Sequence, residues 1–323
     1  MGRKKTKRSV PCPVCGHAKT TCYGFDSNGR QRYKCVECKE QGRSWTFNKR
    51  TGTVFYRLRT SVKEVVQVLQ AYMECGSMEG VARTFSRKIS TITRWTDRIA
   101  QQCAKVNNAL IKNLEVLFVQ LDELWSYVQK KENEQWVWNP IDPQTKLMIA
   151  FQIGPWTKKT ARKLIKLLKK RIKAIWAFIS DGLDHYVKLI ARHFRGATYI
   201  QFVKHYSGRK LKSTEIRLIQ GLPVAVIEEL IRACGLGRQI NTAFVERLNL
   251  TQRQSCAKLK RKTLCAAKLE GRLENCMHIF QAYYNFVRPH MSLKQNGAKR
   301  TPGMAARLTN HIWTWKELLL KRS

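Results

Sequence analysis

Two short apolar runs in this chain each deliver a carboxylate. Leu-Phe-Val-Gln-Leu-Asp-Glu-Leu-Trp-Ser-Tyr, residues 117–127, is β-prone up to the adjacent Asp122 and Glu123. Ala-Ile-Trp-Ala-Phe-Ile-Ser, residues 174–180, runs into Asp181-Gly182, with Asp184, His185 and Tyr186 just beyond. A carboxylate at the end of a buried strand is costly unless it is paired, hydrogen-bonded or bound to a metal. Open α/β sheets build their sites outside the carboxyl ends of their strands. Hard carboxylate oxygens suit Mg²⁺ or Mn²⁺, so the expected ligand is a divalent ion holding phosphate. Successive side chains of a strand point to opposite faces, so Glu123 is read as structural. For His185 and Tyr186 two readings stand, contact with a ligand near the site or packing on the sheet.

A second chemistry is written in sulfur. Cys12-Pro-Val-Cys15 and Cys35-Val-Glu-Cys38 are CxxC knuckles separated by nineteen residues. They offer four thiolates for a tetrahedral structural Zn²⁺. Asn28-Gly29, between β-prone flanks, predicts a type I′ hairpin. The sum is a zinc ribbon, too small to build an adequate core without the metal. Cys22 and His17 are not expected to be ligands.

The 323 residues carry 61 Lys and Arg against 22 Asp and Glu, a net charge of +39. Self-repulsion opposes compaction, so this excess points to a polyanionic partner, double-stranded DNA. An RNA-coating protein shares the charge without the acidic strand ends. With 43% apolar residues the chain is not wholly disordered. No apolar run reaches the ~18–20 residues of a membrane span, and the N-terminus lacks a secretory signal, so the expectation is a cytoplasmic, nucleoid-associated protein without a membrane partner. The eleven cysteines do not suggest a disulfide framework, because most sit singly in apolar periodic segments.

The elements that must position these groups follow in order. Residues 1–50 are read as a basic tail and the zinc ribbon. Over 58–104 the pattern turns helical, with Val62, Val65, Val66 and Leu69 on one stripe. A break at Gly76 and Gly80, then Val81 to Phe85, then Ile89 to Trp95 predict a helix-turn-helix whose second helix is capped by Ser90 or Thr91. Ser90, Thr91, Thr93 and Arg94 would face a major groove; two packed helices with no DNA role would show the same pattern. Strands are expected up to Asp122, over 135–140 and over 146–153, the last two joined by an Asp142-Pro143 turn. A helix from Thr157 to Lys173, basic outward, leads to the strand ending at Asp181, and Asp184 to Phe194 is helical. Over 195–240, a strand at 199–202, a surface loop at Arg209–Lys212 and a helix over Pro223–Cys234 are expected. Asn241 to Arg253 is a polar helix. Its Glu246 is either an intrahelical ion pair, for example with Arg253, or a third metal ligand. The remainder, Leu259 to Ser323, reads as helical and basic.

The chain resembles DDE transposases of the insertion-sequence-one family of bacteria and archaea over nearly its whole length. The residues that carry the resemblance are the CxxC pairs, Asp122-Glu-Leu-Trp-Ser-Tyr-Val128 with Trp136-Val-Trp138, Ser180-Asp181-Gly182, residues 241–253 with Arg261-Lys-Thr263, Tyr284 to Leu293, and Arg300-Thr-Pro-Gly-Met304. No one of these is decisive; their order and co-occurrence are specific. The resemblance implies a multidomain α/β protein with a zinc ribbon, a helix-turn-helix and a ribonuclease-H-like catalytic domain. The domain spans residues 115–290, carries an insertion at about 195–240, and is followed by a basic helical tail, 291–323. It places Asp122 and Asp181 on neighbouring strands and makes Asp122, Asp181 and Glu246 the ligands of two Mg²⁺ or Mn²⁺ ions, with Asp122 bridging. It implies that element terminal repeats and target DNA are the partners, that Arg253 joins Ser90, Thr91, Thr93 and Arg94 on DNA, and that the active form is a homodimer or larger. The interval from Asp181 to Glu246, 65 residues, is longer than in the founding members, which leaves Glu246 the least secure of the three. A nuclease without joining activity and a non-catalytic DNA-binding regulator are the alternatives.

Overall fold

A computed structural model describes residues 10–42, 46–208 and 210–321, apart from the side chain of Cys75. The expected basic tail over residues 1–9 and Arg209 lie outside the described residues. The rest divides into two compact units, one of residues up to Gln67 with 316–321, the other Val68–Trp315.

The smaller unit is a three-stranded antiparallel sheet, β1 (Thr20–Phe25), β2 (Gln31–Cys35) and β3 (Thr46–Asn48), with a short helix α1 (Val36–Glu40) after β2. The hairpin differs from the predicted type I′ turn. Among the described non-glycine residues Asn28 is not one with positive φ, and only Gly29 (φ +70°) is left-handed. Asp26 N–H donates to Arg30 O and Gly29 N–H to Asp26 O, each at 2.9 Å. This is a three-residue loop with a glycine bulge. The Asp26 carboxylate selects it by accepting from Asn28 N–H and Arg30 N–H, each at 2.9 Å.

Next in the chain are α2 (Val62–Cys75), α3 (Met78–Thr84) and α4 (Ile89–Leu110). Ser77 caps α3, accepting from Gly80 N–H at 3.1 Å. Ser86 (φ +49°) closes α3, and Arg87 N–H returns to Ala82 O at 2.9 Å. The expected cap of the second helix is corrected: α4 starts at Ile89 behind Lys88 and has no side-chain cap, so Ser90 and Thr91 lie in its first turn. The domain end expected near residue 104 falls inside α4, because α4 packs along a later helix, Glu270–Ala282, and belongs to the larger unit.

The larger unit is built on a six-stranded mixed sheet. Its strands are β4 (Leu114–Val128), β5 (Lys130–Ile141), β6 (Gln152–Gly154), β7 (Ile172–Ser180), β8 (Thr198–Ser207) and β9 (Lys210–Gln220), in the spatial order β6-β5-β4-β7-β8-β9. β4 and β7 are parallel neighbours, as are β7 and β8. Helix α5 (Lys158–Arg171) makes the crossover into β7, capped by Thr157, and α6 (Val187–His193) the crossover into β8. Then come α7 (Val224–Ala233), α8 (Ala243–Ser255) and α9 (Glu270–Ala282), whose last turns widen to a π-helix over Tyr283–Val287, and α10 (Pro302–Ala305). Phe118, Ile179 and Ile200 of one sheet face pack with Ile227 and Ile231 of α7. On the other face Phe178 meets Phe194 at 4.8 Å between ring centroids, just after α6.

Four expectations change here. Asp122 does not end its strand: β4 continues to Val128, and what stops beside it is the parallel ladder, whose last pair is Leu121–Ser180. The strand expected over 146–153 shrinks to β6. Over the buried stretch Leu147–Ala150 the ladder shrinks to Asp142 N–H donating to Leu147 O at 3.0 Å and Ile149 N–H donating to Pro140 O at 3.1 Å, while Asn285 accepts from Met148 N–H and Asn285 and Gln281 both donate to Met148 O, all at 3.0 Å. Within 195–240 the expected strand lengthens to β8 and the expected helix is the next one in the chain, Val224–Ala233, whereas Lys210–Lys212, expected on a loop, begin β9. The segment between α8 and α9 is irregular after Leu259, not helical.

Candidate active site and its relatives

Gln120 and Asp122 share a face of β4, and both hold α8. The Gln120 carboxamide accepts from Phe244 N–H and Val245 N–H at 3.1 Å each and donates to Asn241 O at 2.8 Å. It thereby satisfies backbone donors that a helix start leaves without partners. Further along the helix, Asn249 donates to Asp122 Oδ2 at 2.7 Å. Asn249 in turn accepts from Asn139 at 2.7 Å, and Asn139 and Gln252 exchange two bonds of 3.0 and 2.9 Å. Asn139 is the cross-strand partner of Asp122. A fully bonded buried amide network of this kind fixes one arrangement of strand and helix.

That arrangement brings Asp122, Asp181 and Glu246 to one cavity of about 520 Å³. Glu246, one turn into α8, accepts from Thr242 Oγ at 2.5 Å and pairs with Lys204 of β8; the alternative ion pair with Arg253 is not made. Burial first, then the charges of Asp181 and Glu246, push Asp122 up to about 7, with Lys204 opposing. Burial likewise raises Asp181, against a bond from Leu183 N–H and the charge of Lys204. Trp156, 39% exposed, forms one wall and is backed edge-on by Trp136 at 4.2 Å.

Glu123 points to the opposite sheet face, as its strand position predicts, yet it is more than structural. One oxygen accepts from the buried Tyr186 hydroxyl, and Oε2 is buried with no hydrogen-bond partner. Beyond Leu121–Ser180 no β7 backbone separates the two faces. The carboxylates of Asp122, Glu123 and Asp181 can offer oxygens all within 4.8 Å of one another. Burial, then Asp181, raises Glu123 well above the carboxylate range, with the Tyr186 hydroxyl opposing. Hard oxygens crowded together, one of them buried and unsatisfied, fit a divalent cation.

The four cysteines of the smaller unit also converge. Their Sγ atoms lie within 4.8 Å of one another, with Cys12–Cys38 at 3.8 Å and Cys15–Cys35 and Cys15–Cys38 at 3.5 Å. Burial and the neighbouring thiols push Cys38 up to about 12. Three or four such thiols lose their protons together only when a cation compensates, so the set suits Zn²⁺.

The expected DNA-facing residues divide. Ser90 and Arg94 are exposed and Thr91 is half-buried. Thr93, half-buried like Thr91, lines a cavity of about 270 Å³ shared with Leu264, Leu269 and α9, and one turn further along α4 the Asp97 carboxylate is clamped by Arg272 and Asn275. Arg253 is turned inward, donating to Leu259 O at 2.5 Å and Trp125 O at 3.4 Å. Sequence reasoning missed Lys204, Thr242, Trp156 and Asn249. A signal existed for Asn249, three residues from Glu246 and hence on its helix face; Lys204, one of many lysines in a basic chain, gave none.

The IS1 transposase family model matches residues 115–219, the strands that carry Asp122 and Asp181; Glu246 lies beyond it. The chain is also 26% identical over 152 residues to the insertion element iso-IS1n protein InsB of Shigella dysenteriae, covering 47% of this chain and 84% of that protein. No helix among the described residues is long and apolar enough to cross a membrane. Over residues 115–219, the segment that carries Asp122 and Asp181, this protein is similar to the IS1 transposase family, the family its motifs resemble.

Proposed function

We propose that the protein is a DDE transposase that binds the ends of its own insertion element, cleaves a strand there and joins the freed 3′ end to target DNA. The observation that carries this reading is the convergence of Asp122, Asp181 and Glu246 on one cavity, in a chain similar to IS1 transposases over residues 115–219 and with net charge +39. The sheet, with β4 between antiparallel β5 and parallel β7, is read as the ribonuclease-H-like domain, and α3–α4 as the helix-turn-helix. Ser90, Thr91, Thr93 and Arg94, with Arg253, are read as the DNA-facing residues, and of these Ser90 and Arg94 are exposed.

Asp122, Asp181 and Glu246 would hold Mg²⁺ or Mn²⁺, with Glu123 in reach of the same ion. When bound, such ions stabilise the attacking and leaving oxygens of an in-line phosphoryl transfer. The chain's own residues supply the rest. The amide network from Asn139 through Asn249 fixes the Asp122 carboxylate. Thr242 and Lys204 fix that of Glu246. Lys204 also places a cation beside a phosphodiester entering the cavity. Water, then the freed 3′-hydroxyl, is the nucleophile, so no covalent enzyme intermediate is needed. The four cysteines are read as the ligands of a structural Zn²⁺, and pairing of two element ends implies at least a dimer.

The test is a strand-transfer assay with duplexes taken from DNA flanking the gene, comparing wild type, Asp122→Ala and Asp181→Ala in Mg²⁺ or Mn²⁺. Joined products that need the metal and vanish in both variants are expected. Metal-dependent cuts without joining would establish a nuclease instead. Specific binding without chemistry under either metal would leave only a regulator.

A further inference from the structure

A second cavity, of about 450 Å³, opens between α5 and α6. Lys158, Arg162 and Lys166 line it from α5, Lys188 and Arg192 from α6, with His193 at one end and the buried Leu189 as floor. On each helix the cations are four residues apart, so they share one face. Neither helix contains an acidic residue, and among the described residues none of these five cations has a carboxylate within ion-pair distance. The local field is visible at His193, which burial, then Arg192, Lys166, Lys169 and Arg162, holds below the ordinary imidazole range. Like charges four apart on a helix destabilise it. A merely solvated face does not require cations from two helices to converge on one hollow.

Position narrows the ligand. Helix α5 begins two residues after Trp156, which walls the carboxylate cavity, and α6 begins six residues after Asp181. Both helices therefore start at the catalytic edge and run away from it. From Lys158 to Lys166 the cleft extends about 12 Å along the helix, a length over which duplex DNA presents about seven phosphate charges. The lining offers cations and an apolar floor, but no acceptor pattern with which to read a base.

We infer that the α5–α6 cleft seats the phosphate backbone of duplex DNA, without regard to sequence, on the stretch that continues from the strand presented to the carboxylates. The inference rests on the transposase reading only for the identity of the polyanion.

The experiment uses the full chain carrying Asp122→Asn, so that DNA stays intact, and a duplex of arbitrary sequence. Binding is measured against salt concentration for this protein, for the same chain with Arg162→Gln and Arg192→Gln, and for a control with Lys159→Gln and Lys163→Gln, on α5 but outside the cleft. The cleft variant is expected to lower the slope of log K against log salt by about 2 and to weaken binding about 10- to 100-fold at 0.1 M salt, with the control close to the parent. Bound duplex is also expected to raise the His193 imidazole titration followed by NMR, and millimolar inorganic phosphate is not expected to displace it. Equal slopes in cleft variant and control would overturn the site, as would an unmoved His193 or displacement by free phosphate. Loss of joining in the Asp122→Ala assay is a separate result, so either reading can fail alone.

Discussion

At the scale of single residues, the site is a set of carboxylates of unequal exposure: Glu123 is buried, Asp122 and Asp181 are half-buried and Glu246 is exposed. Asp122 keeps its proton up to about 7 in the folded chain, against an ordinary value of 3.8. A group that binds its proton more tightly when folded contributes stability below its ordinary value, and that contribution is lost as pH climbs toward 7. In metal-free buffer, the urea midpoint should therefore fall between about pH 4 and 7, and Asp122→Asn should flatten that slope. Metal affinity runs the other way, because an ion displaces the proton. Mn²⁺ binding followed by electron paramagnetic resonance should tighten by up to about tenfold per pH unit on the approach to 7, then level off. Affinity unchanged from pH 5 to 7 would show that Asp122 is not a ligand. These residues were only partly legible. Asp122 and Asp181 announced themselves because a charge after an apolar run is conspicuous. Lys204 and Trp156 did not, because their role comes from strands and a loop that meet only in three dimensions.

At the scale of elements, β4 does two jobs with residues two positions apart. Gln120 caps α8, and Asp122 is bonded by it, so the helix that brings Glu246 is locked to the strand that brings Asp122. Gln120→Ala would leave two helix-start N–H groups and the Asn241 carbonyl unsatisfied. A loss of about 2–4 kcal/mol is expected by denaturant titration, with a larger loss of joining activity than of DNA binding, because Glu246 loses its register. An equal loss of both would mean that α8 does not depend on this cap. Element identity and order were mostly written in periodicity. What escaped it were segments whose backbone bonds go partly to distant side chains: the stretch 147–150 looks like a strand locally, but Asn285 and Gln281 take both backbone groups of Met148. The connection after Gly76 shows the same dependence. Its left-handed backbone (φ +72°) lies so close to Ala257 that an added Cβ would stand 3.2 Å from the Ala257 nitrogen, a packing requirement no local pattern reveals.

At the scale of the molecule, the two compact units draw on different sources of stability. The smaller has Cys12, Cys35 and Cys38 at the centre of its apolar cluster with Tyr33 and Phe47, whereas the larger has a sheet covered on both faces. Chelation of Zn²⁺ should therefore abolish the calorimetric transition of the smaller unit and leave that of the larger. A single transition that moves as a whole would show that zinc is not the local source. The order of the chain adds a property of another kind. Asp122 finds its partner Asn249 127 residues downstream, and Met148 finds Asn285 137 residues downstream. At about 5–20 residues per second, a ribosome needs roughly 6–25 s to travel from Asp122 to Asn249. Until α8 has been made the nascent chain carries its aspartates without the helix that aims them, so the carboxylate site is assembled only after Asn249 has been added.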